Sequence, residues 1–209
     1  MFAPRFLLAA GLALVLVGPW AAPEVQAAPA DAKSFVAGVG ERAIRELTPK
    51  DISEAERVKR MRALLCEAFD VKAISKFVLG IYWRRTTEDQ RVEFLKLYET
   101  VVSHSYAGLF KKYSGETFEV FKQVSVAGGG SIVYGRIQRP NGPPVAVELQ
   151  VVKHSGTYKA VDIKIEGVSM PLTHRKEYSS VIRRNRGNVA GLLTVLRKKA
   201  SILEDSISE

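Results

Sequence analysis

The spacing of apolar residues changes twice along this chain and divides it into helical and sheet segments. Between residues 28 and 113 apolar positions recur at intervals of three and four, as in a helix with one buried face. From Thr117 they alternate with polar positions, which is the period of a strand. After Gly167 the helical spacing returns. This order of helices, sheet and helices predicts an α+β domain.

Two short sequences within the first helical segment have the pattern of a helix start. In residues 53–56 and 87–90 a hydroxyl residue is followed three positions later by Glu or Gln. This is the capping box, in which the two side chains satisfy backbone amides that have no partner within the helix. The pattern predicts helices that begin near Glu54 and Glu88.

The helix predicted from Glu88 is unusually apolar. Its apolar or small residues cover roughly 220° of the helical wheel, whereas a surface helix needs a stripe of about 100°. The helix is therefore predicted to be covered on two sides, by helices and by a sheet or a ligand, although core packing alone remains an alternative. The residues concerned are Phe94, Leu95, Leu97, Tyr98, Val101, Val102, Ser105, Tyr106, Leu109 and Phe110.

The sheet segment predicts four strands, at residues 117–126, 131–139, 144–153 and 158–166. Short turns rich in Gly and Asn separate them, which favours an antiparallel meander. One face is apolar and the other polar, as expected when a single face is covered. The predicted covered face carries Val145, Val147, Leu149, Val151, Val161, Ile163 and Ile165, and the wet face carries Glu148, Gln150, Asp162, Lys164 and Glu166.

The first residues have the pattern of an export signal. A basic start is followed by an apolar run over residues 6–17, which is shorter than the roughly 20 residues that span a bilayer. Val25-Gln26-Ala27 supplies a small-residue cleavage pattern. Residues 1–27 are therefore predicted to be a signal peptide that is removed on export. Residues 28–209 are predicted to form one domain.

Charge and cysteine usage narrow the possible partners. The formal net charge is +9, which favours anionic lipid head groups or acidic protein surfaces, although a basic surface without a partner is equally possible. Nucleic acid is not expected as the partner of an exported protein.

Cys66 is the single cysteine, so it cannot form an internal disulfide, and it is predicted to be a small buried residue.

No pattern typical of catalysis or of cofactor binding is present. His104, His154 and His174 lack metal-ligand spacing, and the chain has neither a glycine-rich phosphate loop nor a nucleophile elbow. We predict no metal, no cofactor and no enzymatic activity. A cavity enzyme remains an alternative that would need a carboxylate inside, yet Asp162 and Glu166 fall on the predicted wet face.

Two ordered blocks of sequence match a known family. The first contains Phe77-Val78-Leu79-Gly80-Ile81-Tyr82-Trp83-Arg84, then Gln90, Phe94, Tyr98 and Tyr106, and ends in Tyr113-Ser114-Gly115-Glu116. The second contains Val161-Asp162-Ile163-Lys164-Ile165-Glu166-Gly167-Val168-Ser169, then Arg175, Tyr178, Gly187 and Gly191-Leu192-Leu193. The chain thereby resembles the MlaC family of periplasmic phospholipid-binding proteins, also called the toluene-tolerance auxiliary family. Gly167-Val168-Ser169-Met170 and Thr173-His174-Arg175 are similar to its HpnM branch, associated with hopanoid-producing bacteria.

The resemblance implies a fold and a function. The fold would be a curled antiparallel four-stranded sheet wrapped by the N- and C-terminal helices, similar to the cone of nuclear transport factors. The function would be that of a periplasmic carrier that exchanges phospholipid, or another long-chain lipid, with an inner-membrane ABC transporter and an outer-membrane lipoprotein complex. Two alternatives are a carrier of hopanoid-related lipid and a basic adaptor that docks on membrane proteins and binds no lipid.

A lipid carrier needs an apolar interior, and the sequence offers candidates for it. The predicted lipid-contacting residues are Phe77, Leu79, Tyr82, Trp83, Phe94, Leu97, Tyr98, Val101, Leu109, Val133, Ile137, Val147, Leu149, Val161, Ile163 and Val168. Each of them would also suit an ordinary core. Arg84 and Arg85 are the candidates for binding a head-group phosphate at the mouth, through charge-assisted hydrogen bonds.

Overall fold

A computed structural model describes residues 31–207 of the chain. The predicted signal peptide, residues 1–27, lies outside these residues. Between residues 31 and 207, no helix is both long and apolar enough to cross a bilayer. The elements are α1 (Ala32–Leu47), α2 (Glu54–Ala68), α3 (Val71–Leu79), a 3₁₀ segment (Gly80–Arg85), α4 (Glu88–Phe110), β1 (Thr117–Val126), β2 (Gly130–Gln138), β3 (Val145–His154), β4 (Thr157–Ile165), β5 (Val168–Ser169), α5 (Met170–Arg184) and α6 (Val189–Asp205).

Both predicted helix starts are confirmed. At α4 the amide of Gln90 donates to the Thr87 hydroxyl at 3.3 Å, and the Gln90 side chain accepts from the Thr87 amide at 3.2 Å. At α2 the Ser53 hydroxyl accepts from the Glu56 amide at 3.1 Å. Local sequence therefore determines where these helices begin, because the caps satisfy amides that the helix itself leaves open.

The α+β prediction is confirmed, with one more strand than expected. The sheet is antiparallel in the order β1-β2-β3-β4-β5, and its first four strands lie within a residue or so of the predicted segments. The fifth, Val168–Ser169, pairs with Lys164 and Ile165. It was missed because two residues are too few to show an alternating pattern.

Two β-bulges interrupt the alternation of the strands. In β1 the register passes from Val120 directly to Lys122, and in β4 the pairing skips Val161. The prediction that Val161 shares the inner face with Ile163 is therefore wrong, since the extra residue changes the face on which its neighbours lie. Ala160 is buried in the core instead. Bulges of this kind also bend a strand and increase its twist.

Three clusters of buried apolar side chains fill the part of the molecule that the structure describes, and the smallest, among α1, α2 and α4, includes Leu47 and Leu64. The helical core lies among α3, α4, α5 and α6 and includes Leu79, Phe94, Ile182 and Leu192, all essentially inaccessible to solvent. The sheet cluster lies between α1 and the inner face of the sheet and includes Val133.

The prediction that Cys66 is a small buried residue is wrong, because this α2 residue is exposed.

Candidate functional site

An apolar cavity of about 360 Å³ lies between the inner face of the sheet and the helices. The sheet contributes Phe118, Ile137, Val147, Leu149, Ile163 and Ile165 to its wall. Helices α1, α2 and α4, the start of α3, the first turns of α5 and the segments that follow α2 and α4 provide the remainder. The described lining contains a single carboxylate, that of Glu116. The site is therefore suited to a ligand with long apolar parts.

Helix α1 forms one side of the cavity and is fastened at both ends. At its start, the Lys33 amide donates to the Gln123 side chain of β1 at 2.8 Å. At its end, the buried Arg57 side chain of α2 donates to the carbonyls of Leu47 and Pro49, the latter at 3.1 Å. Breaking hydrogen bonds from a buried guanidinium is costly, so these two bonds help to hold the end of α1 in place.

Close contact between α1 and β1 depends on glycine. A Cβ atom on Gly40 would overlap the Phe118 ring, and one on Gly135 of β2 would lie 2.9 Å from the same ring. The ring therefore occupies space that two missing side chains leave free. Gly40 and Phe118 both line the cavity. Their packing thus sets the width of the cavity between helix and sheet.

The cavity opens beside the end of α4. Leu109 lines the cavity and is 62% exposed, and the neighbouring Thr117 is exposed as well. Glu116 at this rim accepts hydrogen bonds from the Ser114 amide at 2.7 Å and the Ser114 hydroxyl at 3.1 Å. These bonds, led by the one from the amide, hold the pKa of Glu116 below its usual range. The rim carboxylate is thus ionised and held in a turn.

One wall of the cavity carries a polar pair. The Tyr98 hydroxyl of α4 and Nδ1 of His174 on α5 are hydrogen-bonded at 3.0 Å, and both residues line the cavity. The imidazole ring stacks on Tyr178 with centroids 6.0 Å apart. Burial lowers the pKa of His174 and raises the pKa of Tyr98, so both side chains are neutral near pH 7.

Six of the sixteen predicted lipid-contacting residues line this cavity. They are Tyr98, Leu109, Ile137, Val147, Leu149 and Ile163. The other ten, Phe77, Leu79, Tyr82, Trp83, Phe94, Leu97, Val101, Val133, Val161 and Val168, do not. That any one of these residues contacts lipid remains a prediction.

The ten residues outside the lining have three kinds of surroundings. Leu79, Tyr82, Phe94 and Val101 are buried in the helical core, where Trp83 and Leu97 pack against them, and Val133 is buried in the sheet cluster. Phe77 and Val168 are exposed, and Val161 is the bulged residue of β4. Apolar character alone could not separate these surroundings, because core and cavity wall select the same residue types.

The two arginines predicted for a head group lie far from the opening. Arg84 and Arg85 are exposed at the end of the 3₁₀ segment, before the first residue of α4, whereas Leu109 is near its last. The helix has 23 residues and so spans about 35 Å. The Arg85 guanidinium lies 5.9 Å from the centroid of the Tyr82 ring. Neither arginine lines the cavity.

Several lining residues were not among the candidates. Helix α1 contributes Val36, Val39 and Ile44, and α5 contributes His174. The helical spacing of the α1 residues was visible in the sequence, but nothing in it showed that α1 would cross the sheet. The role of His174 was hidden because its partner Tyr98 is 76 positions away.

Asp162 does not supply the carboxylate that a cavity enzyme would need inside its cavity. Its side chain is absent from the lining and accepts a hydrogen bond from the Ser169 hydroxyl at 2.9 Å. Ser169 is also the N-cap of α5 and accepts from the Leu172 amide at 3.1 Å. Asp162 therefore orients a helix cap on the outer side of the sheet.

Comparison with known proteins gives a consistent family and fold. The family described as MlaC protein matches residues 39–198. The Haemophilus influenzae intermembrane phospholipid transport system binding protein MlaC is 26% identical over 128 residues. That match covers 59% of each protein, so the chain spans less than two thirds of this relative's length.

A solved structure shares the fold. It is that of a phospholipid-binding protein from Ralstonia solanacearum in complex with a phospholipid. The TM-score is 0.73 at 22% sequence identity, and the likeness covers 84% of this chain and 99% of that chain.

Proposed function

The chain belongs to the MlaC family, and from this premise we propose that it carries phospholipid between two membranes, with the acyl chains held in its apolar cavity. The observation that supports this most directly is the cavity itself, whose lining is almost entirely aliphatic and aromatic. The name of the Haemophilus influenzae relative and the ligand of the Ralstonia solanacearum protein point to the same class of cargo.

The physical reason for such a carrier is the cost of exposing lipid to water. At about 0.8 kcal/mol per methylene, a 16-carbon chain in water costs on the order of 12 kcal/mol, and two chains about twice that. Diffusion of the free lipid is therefore negligible. A protein cavity lined by Leu149, Ile163 and similar residues offsets this cost while the lipid is between membranes.

We further propose that the carrier works in the periplasm, after removal of residues 1–27, and that it docks alternately on an inner-membrane ABC transporter and an outer-membrane lipoprotein complex. The carrier itself only equilibrates lipid, so the direction of transport is set by its partners. The cavity also argues against the alternative of a basic adaptor that binds no lipid, because such a protein has no need of a hollow apolar interior.

The proposal is tested by native mass spectrometry of the protein purified without detergent, followed by extraction and identification of bound lipid. The decisive variant is Leu149→Glu, which places a charge on the cavity wall, where burial without a partner is strongly unfavourable. The matched control is Gln150→Glu, which adds the same charge to the next, exposed position of β3.

We expect wild type and Gln150→Glu to retain lipid in stoichiometric amount and Leu149→Glu to lose it. A hopanoid in place of a phospholipid would support the carrier function and change its cargo. A wild-type protein that is ligand-free, and that takes up nothing from phospholipid vesicles, would rule out the proposal.

A further inference from the structure

One part of the surface combines exposed apolar side chains with unpaired positive charge. Three large apolar residues there are open to solvent: Phe77 of α3 is 44% exposed, Ile81 of the 3₁₀ segment 65% and Leu172 of α5 41%. Helices α3 and α5 pack against each other, so the exposed sides of both contribute to one surface. We call this surface, formed by α3, the 3₁₀ segment and residues 172–176, the basic apolar face.

Arg175 joins the two helices of this face. Its guanidinium lies 4.9 Å from the centroid of the Phe77 ring. It also fills the space beside Gly80, where a Cβ atom would lie 2.9 Å from it. Leu172 precedes Arg175 by three positions and so lies on the same side of α5. Among residues 31–207, the Arg175 side chain has neither an ion-pair nor a hydrogen-bond partner.

The charge of the face is one-sided. Residues 71–85 contain four cations and no carboxylate. All four are exposed, and none forms an ion pair within the part of the chain that the structure describes. They are Lys72, Lys76, Arg84 and Arg85. The flanking carboxylates have other partners, since Asp70 accepts from the Ala73 amide at 2.9 Å and Glu88 pairs with Arg91 at 3.3 Å. The face therefore attracts an anionic partner.

A bilayer that contains anionic lipid is the partner that these features fit. Its head groups attract the cations, and the region just beneath them receives apolar and aromatic side chains such as Ile81 and Phe77. Lysine and arginine can reach head groups while their hydrocarbon stems lie in the apolar region. A protein partner would need carboxylates fixed opposite cations from three separate elements, whereas a fluid bilayer adjusts to them.

We propose that the basic apolar face binds the surface of an anionic bilayer directly. This inference rests on the proposed function, since a lipid carrier must reach a membrane, and it names the membrane itself as a partner. The face lies away from the cavity opening: Tyr98, which contacts His174 next to Arg175, is about three helical turns along α4 from Leu109. A carrier held in this way keeps its opening available to a protein partner.

The test is sedimentation of the protein, purified without detergent, with two kinds of vesicle. One kind contains equal parts of phosphatidylcholine and phosphatidylglycerol, and the other contains phosphatidylcholine alone. We expect the protein to bind the anionic vesicles more than about 10-fold more tightly, because each cation near the surface contributes about fivefold. Raising the salt concentration should release the protein, because it screens these charges.

The contribution of charge is tested by combining Lys76→Gln with Arg84→Gln, both at exposed positions of the face. This double variant should bind anionic vesicles about 10- to 30-fold more weakly, at about fivefold for each cation. The matched control combines Arg183→Gln with Arg184→Gln and removes the same charge from exposed positions at the end of α5. It should weaken binding by less than about threefold, because charges outside the contact are screened.

The apolar contribution is tested by Ile81→Ser. This variant should bind anionic vesicles about 3- to 10-fold more weakly, because the side chain is mostly exposed in the free protein and would be buried in the bilayer. The matched control is Val195→Ser on α6, which is also exposed but lies outside the face. It should bind as wild type does.

The outcomes separate this inference from the proposed function. Leu149→Glu, which should lose its lipid, should still bind anionic vesicles as wild type does. A wild type that carries lipid but does not sediment with anionic vesicles at low salt overturns the membrane as the partner, in favour of an acidic protein surface, and leaves the carrier intact. Equal weakening by the two double variants also overturns it, because binding would then follow net charge alone. Vesicle binding by a wild type that never takes up lipid supports the face and overturns the proposed function.

Discussion

The two sides of α4 have the same apolar character but different surroundings. On one side Phe94 is completely buried among α5 and α6, with its ring 6.1 Å from that of Tyr178. Further round the helix Tyr106 and Leu109 face the cavity. Tyr98, whose ring centroid lies 5.8 Å from that of Phe94, stands at the boundary between the two. We call these the solid side and the hollow side. The difference shows that apolar residues create a cavity only where their covering element cannot follow the helix closely.

The geometry of the sheet explains why its side is hollow. Helices α2 and α6 pack closely against α4, whereas the sheet bends at the bulges near Phe121 and Val161. Helix α1 bridges part of the remaining gap, and at Gly40 it approaches the sheet so closely that the Phe118 ring fills the space of the missing side chain. The cavity lies beside this contact, and both residues line it.

The largest expected difference between the two sides is in stability. Phe94→Ala on the solid side should lower the free energy of unfolding by about 3–5 kcal/mol, because it leaves a void in close-packed surroundings. Ile163→Ala, in the sheet wall that faces the hollow side of α4, should cost less than about 2 kcal/mol, because part of that side chain already lacks packing partners. Urea unfolding of lipid-free protein measures both. Equal losses would contradict the distinction between the sides.

A smaller effect is expected where α1 meets the sheet. Gly40→Ala should cost about 1–3 kcal/mol and reduce lipid uptake, because the new methyl displaces the Phe118 ring and Gly135 leaves that ring little room behind it. The control is Gly38→Ala on the same helix, where no atom lies within 4 Å of the new methyl.

Gly38→Ala should be neutral or stabilising by up to about 1 kcal/mol, through helix propensity alone. Thermal unfolding and vesicle uptake would distinguish the two variants. If both alanines stabilised the protein and left uptake unchanged, the contact between Gly40 and Phe118 would not limit the cavity.

The smallest expected effect is a dependence of stability on pH. Burial lowers the pKa of His174 in the folded state, so the unfolded chain binds the proton more readily. The contribution of the neutral His174 to stability is therefore fully present above the pKa of the unfolded chain, near 6.5. It is lost as the pH drops through the lowered pKa of the folded protein. His174→Phe should remove this part of the loss.

Thermal unfolding of both proteins between pH 7.5 and 5.5 tests this dependence. Glu56 and Glu116, whose pKa values are lowered in the folded protein, lose their contributions only at lower pH. A wild-type curve parallel to that of the variant would show that His174 is protonated without cost, as expected for a ring open to water.

Local sequence was sufficient for most of the elements of this fold, although not for β5 or the bulges. The capping residues Ser53 and Thr87 are followed by helices at the predicted positions, and four strands match their alternating segments. These features depend on neighbours within a few positions, which a sequence displays directly. The family was likewise visible in ordered motifs along the chain.

The tertiary structure alone decided which apolar residues surround empty space. Leu79 and Leu149 have the same side chain and are both buried, yet the first fills the helical core and the second lines the cavity. The same applies to Arg84, which was predicted at the mouth of the cavity, whereas the length of α4 separates it from the opening beside Leu109. The physical reason is that burial depends on composition and period, whereas a void depends on the distance between elements far apart in the chain.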